Sequence, residues 1–275
     1  IVHLGAKPVF VDVGSDLNID PKKIEGAITK KTSAIMPVHW GGRVCQMDEI
    51  QSVARKFSIP IIEDCAQGMG SYYKGKHSGS FGDIAAFSAH PLKNLGAIGD
   101  GGFVVTNNKD YYDKINLYRN HGLESRDHVV MFGVNSRLDS VHAEILTHRL
   151  LNLRNFIAKR NRNVQLYKKY ITTKKVQFLN VDETLTHSYV MFIVLCEERD
   201  ELQSFLARNQ IQSLVYYGTP LHLQPASSSL GYQEGDFPVA ESMSKKVLAL
   251  PHHQYLSKEQ IKFVCSKINE FYKSR

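Results

Sequence analysis

Apolar and polar positions set two rhythms, and as far as Ile62 they read as strand, helix, strand, helix, strand. Gly5 to Val13 predicts a strand with its turn. Asn18 to Ile28 predicts a short helix: Asp20 is a suitable N-cap, Pro21 fits the first helical position, and Ile24, Ala27 and Ile28 share a face. Thr32 to Val38 predicts a buried strand, followed by His39-Trp40-Gly41-Gly42, where the single Trp either lines a site or packs in the core or at its rim. A helix capped by Asp48 carries Ile50, Val53, Ala54 and Phe57 at helical spacing and leads into the β-forming run Ile59 to Ile62. This alternation predicts a mainly parallel sheet with right-handed crossovers.

Further on, Ile84 to Phe87 and residues 103 to 106 predict strands, and about Asp110 to Asn120 a helix stopped by Gly122 as C-cap. Residues 123 to 137 read as a polar loop. A long helix follows, with Val141, Ile145, Leu146 and Leu150 facing inward, and continues as a basic helix to about Tyr170. Strands over 188–196 and 212–217 and helices over 199–209, 241–248 and 257–273 complete the pattern, the last with Ile261, Val264, Ile268 and Phe271 on one face. The expected organisation is a large domain over 1–150, a connecting basic helix over 151–178 and a smaller C-terminal α/β domain over 179–275.

Composition narrows the class. With 275 residues, 43% hydrophobic and 22% charged, the chain is an ordinary globular protein with a large core. No apolar run reaches membrane-spanning length and no segment looks like a signal peptide, so a cytoplasmic location is expected. Cys45, Cys65, Cys196 and Cys265 are scattered and expected to be small buried hydrophobes, with no metal-ligand spacing among them. The net charge of +7 is uneven: Arg149 to Lys175 holds nine basic residues and no acid. That stripe suits nucleic acid, a phosphorylated small molecule, or simply a solvated helix face.

The candidate chemistry lies between residues 61 and 106. The run 59–62 ends in Glu63 and Asp64, so a buried strand delivers a carboxylate to its carboxyl end, the edge where open α/β sheets bind ligands. The second run ends in Ser88 and is followed by a turn carrying His90 and Lys93. Pyridoxal phosphate (PLP) enzymes bring an Asp and a Lys together in this way: the lysine amine forms a Schiff base, and the carboxylate keeps the pyridine nitrogen protonated. Gly96, Gly99, Gly101 and Gly102 do not spell Gly-x-Gly-x-x-Gly, so they are read as a tight backbone path rather than a dinucleotide fingerprint.

Four linked segments, Glu63-Asp64-Cys65-Ala66-Gln67, Gly79-Ser80-Phe81-Gly82-Asp83, Phe87-Ser88-Ala89-His90-Pro91-Leu92-Lys93-Asn94-Leu95-Gly96 and Gly99-Asp100-Gly101-Gly102, resemble the DegT/DnrJ/EryC1/StrS family of sugar aminotransferases. The resemblance spans nearly the whole chain. It implies a type I PLP-dependent transferase fold and a ping-pong transfer of an amino group from glutamate to a nucleotide-diphosphate keto sugar, for amino sugars of surface polysaccharides or antibiotics. It also implies roles for residues: Lys93 is catalytic and holds the cofactor, Asp64 faces the pyridinium, Gln67 the ring hydroxyl side, and Ser88 the phosphate. Asn135, in Gly133-Val134-Asn135-Ser136-Arg137, reaches the phosphate of a neighbouring subunit, so a homodimer is expected. Tyr217, His222 and Gln224 match the segment near the substrate entrance, where the alternative is that they are surface-loop polars. Ala89 departs from the bulky aromatic more often found there, which touches the shape of the site. Lys93 argues against the dehydratase branch that carries His instead. An N-terminal portion with a Gly-Thr turn precedes this point in the family, which makes the chain look truncated before Ile1. The rival expectations are a catalytically silent PLP-fold regulator using its basic stripe on nucleic acid, and an inactive fragment.

Overall fold

The computed structural model describes residues 1–180 and 183–273; residues 181, 182, 274 and 275 of the expected C-terminal domain lie outside it. In chain order the helices are α1 (Pro21–Ala27), α2 (Met47–Phe57), α3 (Lys109–Arg119), α4 (Ser140–Leu150), α5 (Leu153–Tyr170), α6 (Arg199–Arg208), α7 (Pro238–Ser244) and α8 (Lys258–Lys273). The strands are β1 (Ile62–Asp64), β2 (Tyr72–Tyr73), β3 (Lys76–His77), β4 (Ile84–Ser88), β5 (Gly102–Val105), β6 (Leu123–Ser125), β7 (His128–Val129), β8 (Val176–Phe178), β9 (Leu185–Thr186), β10 (Phe192–Cys196) and β11 (Val247–Leu250). They form two compact units, one of residues 32–155 and 184–190, the other of residues 1–31, 156–183 and 191–275.

The first unit is built on the sheet β1-β4-β5. β1 and β4 pair in parallel, and Ile35 and Val38 bridge in parallel to Ile61 and Asp64, so the parallel arrangement holds on both sides of β1; β5 runs antiparallel to β4. Thr32 to Val38 makes only these isolated bridges instead of a full strand, in keeping with Pro37, which has no N–H to donate. Ile50 and Ala54 of α2 are buried as their spacing requires, but the N-cap is Gln46 without a side-chain bond, and Asp48 sits in the first turn. β2 and β3 form a hairpin whose turn residues, Lys74 and Gly75, both have positive φ, as a two-residue turn between right-twisted strands requires.

Residues 123–137 are more ordered than expected. They contain the β6–β7 hairpin and then run beside the end of α3, with Val134 N–H donating to Tyr118 O at 2.7 Å and Asn120 bridging Asn135. In α4 Leu146 is buried and Ile145 half-buried as expected, while Val141 and Leu150 are exposed; His142 and Arg149 also turn inward, His142 packing on Gly99 and Arg149 donating to Gly96 O.

The second unit holds the antiparallel sheet β8-β10-β11, every residue of β10 and β11 being buried, with the inner face of α8 (Ile261, Val264, Ile268, Phe271) also in its core. Burying each such side chain contributes about 1.5–3 kcal/mol. The helix expected over 241–248 is α7, which ends at Ser244, and Val247 and Leu248 belong instead to strand β11, bounded by Pro251. Residues 212–217 contribute only the Leu214–Ala249 bridge. Residues 1–31 cluster here rather than with 32–150, and Gly5 to Val13 is not a strand beyond the Val13–Ile19 bridge. The cause is side-chain tethering: Asp12 accepts the amides of Val239 and Ala240, and Phe10 packs on Tyr232 and Phe237.

Candidate active site

Because β1 and β4 are parallel neighbours with Asp64 opposite Ala86, the chain leaves the sheet at Asp64 and at Ser88 on one edge. Asp64 turns it at once, its Oδ1 accepting Ala66 N–H at 2.9 Å. Gln67 follows, with Oε1 accepting Gly41 N–H at 2.6 Å. On the second strand Ser88 Oγ accepts His90 N–H at 3.3 Å, and Lys93 N–H donates to His90 O at 2.8 Å. This tight turn brings the half-buried Lys93 amine under the charge of Asp64. Burial lowers the Lys93 pKa below the ordinary lysine value, and the Asp64 carboxylate opposes part of that fall.

The return path from Lys93 is pinned at each step. Asn94 Nδ2 donates to Ser188 O at 3.1 Å; the Arg149 guanidinium donates to Gly96 O and, at 3.3 Å, to Ala97 O; Ala89 N–H donates to Gly101 O at 2.8 Å. Ser188 belongs to the 184–190 segment, tied down by β9 pairing with β2 and by Ser71 Oγ, 2.8 Å from Ser188 Oγ. Asn94 Oδ1 is buried and meets no hydrogen-bond donor among the described residues, an acceptor left over immediately beside Lys93. A half-buried amine of lowered pKa, a carboxylate whose charge acts on it, a strand-end hydroxyl and an unused buried acceptor fit the demands of PLP.

Asn135 is exposed in the segment running beside Asn120. Tyr217 and His222 belong to the other unit. Tyr217 is exposed, whereas His222 is 5% exposed, its Nε2 2.9 Å from Glu241 Oε1 and its ring edge-on to Phe237, so it is not a surface-loop polar residue. Gln224 Nε2 donates to Thr219 O at 3.1 Å within the same segment. The basic stripe divides as well: Arg149 holds the lysine turn, and Arg160 is buried, with Nε donating to Gln254 Oε1 at 3.2 Å, while Arg154, Arg162, Lys169 and Lys174 are exposed.

Sequence reasoning missed Asn94, Arg149, Ser188 and above all Glu63 and His39. Glu63 alternates with Asp64 along β1, and that alternation was the available signal: two acids ending one buried strand cannot both face the ligand edge. Among the described residues no helix is long and apolar enough to cross a membrane.

A lysine turn and a carboxylate on one edge of a partly parallel sheet define a PLP-dependent aminotransferase of the type I fold. Residues 1–269 match the DegT/DnrJ/EryC1/StrS aminotransferase family, and the chain belongs to it. It is 39% identical over 277 residues to a pleiotropic regulatory protein of Geobacillus stearothermophilus, covering 99% of this chain and 74% of that protein. It is 38% identical to dTDP-3-amino-3,6-dideoxy-alpha-D-galactopyranose transaminase of Aneurinibacillus thermoaerophilus, covering 97% and 73%. The crystal structure of DesV from S. venezuelae superposes with a TM-score of 0.94 at 34% identity, covering 98% of this chain and 73% of that one.

Proposed function

We propose that the protein moves an amino group from glutamate to a keto sugar carried on a nucleotide diphosphate, in the biosynthesis of amino sugars, as a cytoplasmic homodimer. The observation that carries this is the Lys93 amine, half-buried and under the charge of Asp64 at the end of the parallel pair. Nucleotide-sugar transaminases among its relatives, such as the Aneurinibacillus enzyme, support the substrate class.

Lys93 would hold the cofactor through its amine, Asp64 would keep the ring nitrogen protonated, and Gln67 would contact the ring hydroxyl side. Ser88 would bind the phosphate together with Asn135 of a second copy. When bound, the cofactor supplies an electrophilic carbon and a conjugated ring that takes up electrons. Once released, Lys93 serves as a base for a single proton at the donor's Cα, and its lowered pKa puts more of the amine in the free-base form near neutrality. Tyr217, exposed on its segment, is offered to the substrate, and His222, fixed by Glu241, supports that segment from within.

The test is an absorbance titration of the purified protein with PLP, followed by borohydride reduction and peptide mapping. A visible band that glutamate bleaches, absent from Lys93→Ala, with the reduced adduct on Lys93, is the expected result. Absence of any band in wild type would overturn the proposal, and so would an adduct on another lysine.

A further inference from the structure

We infer that Glu63 and His39 form a buried positioning pair that locks the loops carrying Asp64, Gln67 and Ser88 into one arrangement. The inference rests on the proposed cofactor site only in so far as those three residues hold PLP.

Both side chains are wholly buried. Glu63 Oε1 accepts the amides of Phe81 and Gly82 at 2.7 and 2.6 Å; Oε2 accepts the amide of Gly79 at 2.7 Å and lies 2.8 Å from His39 Nε2. With the Cys65 Sγ–H directed at Oε2 from 4.0 Å as well, five donors surround one carboxylate. His39 Nδ1 accepts Cys45 N–H at 3.2 Å, which puts the proton of the neutral ring on Nε2, pointing at Glu63. An apolar residue at 63 would leave three inward amides unsatisfied, each costly when buried.

What the pair connects gives it a function. Glu63 adjoins Asp64 on β1 and faces the opposite side of the strand. The 79–82 turn it grips feeds β4, which ends in Ser88. His39 begins the turn whose Gly41 amide holds Gln67. Cys65 Sγ also lies near, and the three ligand atoms fall within 4.8 Å of one another as a metal set would. Hydrogen bonding accounts for the cluster instead: Glu63 is saturated by donors, and burial pushes the Cys65 thiol up, away from the thiolate a metal needs.

The test compares Glu63→Gln, His39→Leu and His39→Gln with an Ile50→Val or Ile50→Ala core variant matched to them in Tm. Readouts are the PLP dissociation constant and amide exchange over 39–45 and 79–88. A glutamine at 39 keeps one donor and one acceptor, as neutral histidine does; leucine keeps neither. Glu63→Gln and His39→Leu are expected to weaken PLP binding about 10–100-fold beyond the Ile50 control and to speed exchange in both segments together, with His39→Gln within about threefold of wild type. Losses no larger than the control's, or His39→Gln as damaging as His39→Leu, would overturn the inference. If Glu63→Gln does not fold, the two His39 variants decide. If wild type takes up no PLP, the proposed function fails, and coupled exchange in His39→Leu judges the pair on its own.

Discussion

Lys93 and Asp64 act on each other in opposite senses. Burial disfavours the charged ammonium and the carboxylate favours it, and burial is the stronger of the two, so the Lys93 pKa lies below the ordinary lysine value. Removing the Asp64 charge must therefore lower the Lys93 pKa further. Competitive acetylation across a pH series, read by peptide mass spectrometry without PLP, should give Lys93 a midpoint below the ordinary lysine value, and lower again in Asp64→Asn. A rise in the variant would sink the assigned sign. The same substitution should cut amino transfer about 10²–10³-fold, the usual loss when one preorganised electrostatic group is removed. These residues were legible from sequence because each ends or closely follows a β-forming run. Glu63 was legible only in part: its alternation with Asp64 turns it away from the ligand edge, but its partners are backbone amides of the 79–82 turn, and no side-chain pattern announces where a turn aims its N–H groups.

At the level of elements, those with their own local signals matched best. α1 begins at Pro21 with Asp20 accepting Lys22 N–H, and α8 buries its expected stripe. Short apolar runs were ambiguous by nature, and Val247 to Leu250 is a strand only because Phe192 to Cys196 lies beside it. The α3 exit combines local and tertiary demands. Gly122 has a φ of +72°, and a Cβ there would collide with the Met131 carbonyl. Gly122→Ala should cost at least about 1–3 kcal/mol of stability in a urea titration, and a neutral result would show that the 131–135 return path can shift. α7 depends on a distant residue. Asp12 accepts the amides of Val239 and Ala240 and pairs with Lys23 at 2.9 Å. Burial alone would raise its pKa, but these bonds outweigh it and the value falls below the ordinary 3.8. The unfolded chain then binds the proton more readily, so the stabilisation is full above pH 3.8 and is lost as pH falls through the lower folded value. Asp12→Asn should lose about 1.5–3 kcal/mol at pH 7, with the gap to wild type narrowing on acidification. A gap constant with pH would assign the loss to packing instead.

On the scale of the whole molecule, most of the exposed large apolar side chains among the described residues belong to the unit that carries Lys93. Phe132 is 99% exposed, and Val129, Val130, Val134, Val141 and Leu151 are also exposed. Exposed apolar residues so close along the chain as Val129, Val130, Phe132 and Val134 suit an interaction surface. Phe132 precedes, and Val134 lies within, the Gly133–Asn135 stretch proposed above to serve a neighbouring site, so on that proposal the dimer and the completed site stand or fall together. In a two-fold dimer each interface residue serves the other copy. Co-refolding Lys93→Ala chains with Asn135→Ala chains separates the possibilities. If Asn135 serves the other copy's site, each mixed dimer has one site carrying both defects and one carrying neither. Half of randomly paired dimers are mixed, so activity should return to about a quarter of wild type, although each variant alone is impaired. If Asn135 served the site of its own chain, every site in the mixed dimer would carry one defect and no activity would return. Phe132→Ser added to both chains should then abolish the recovery by weakening the pairing, with sedimentation velocity showing the shift toward monomer; recovery that survives in a monomeric sample would refute the shared site.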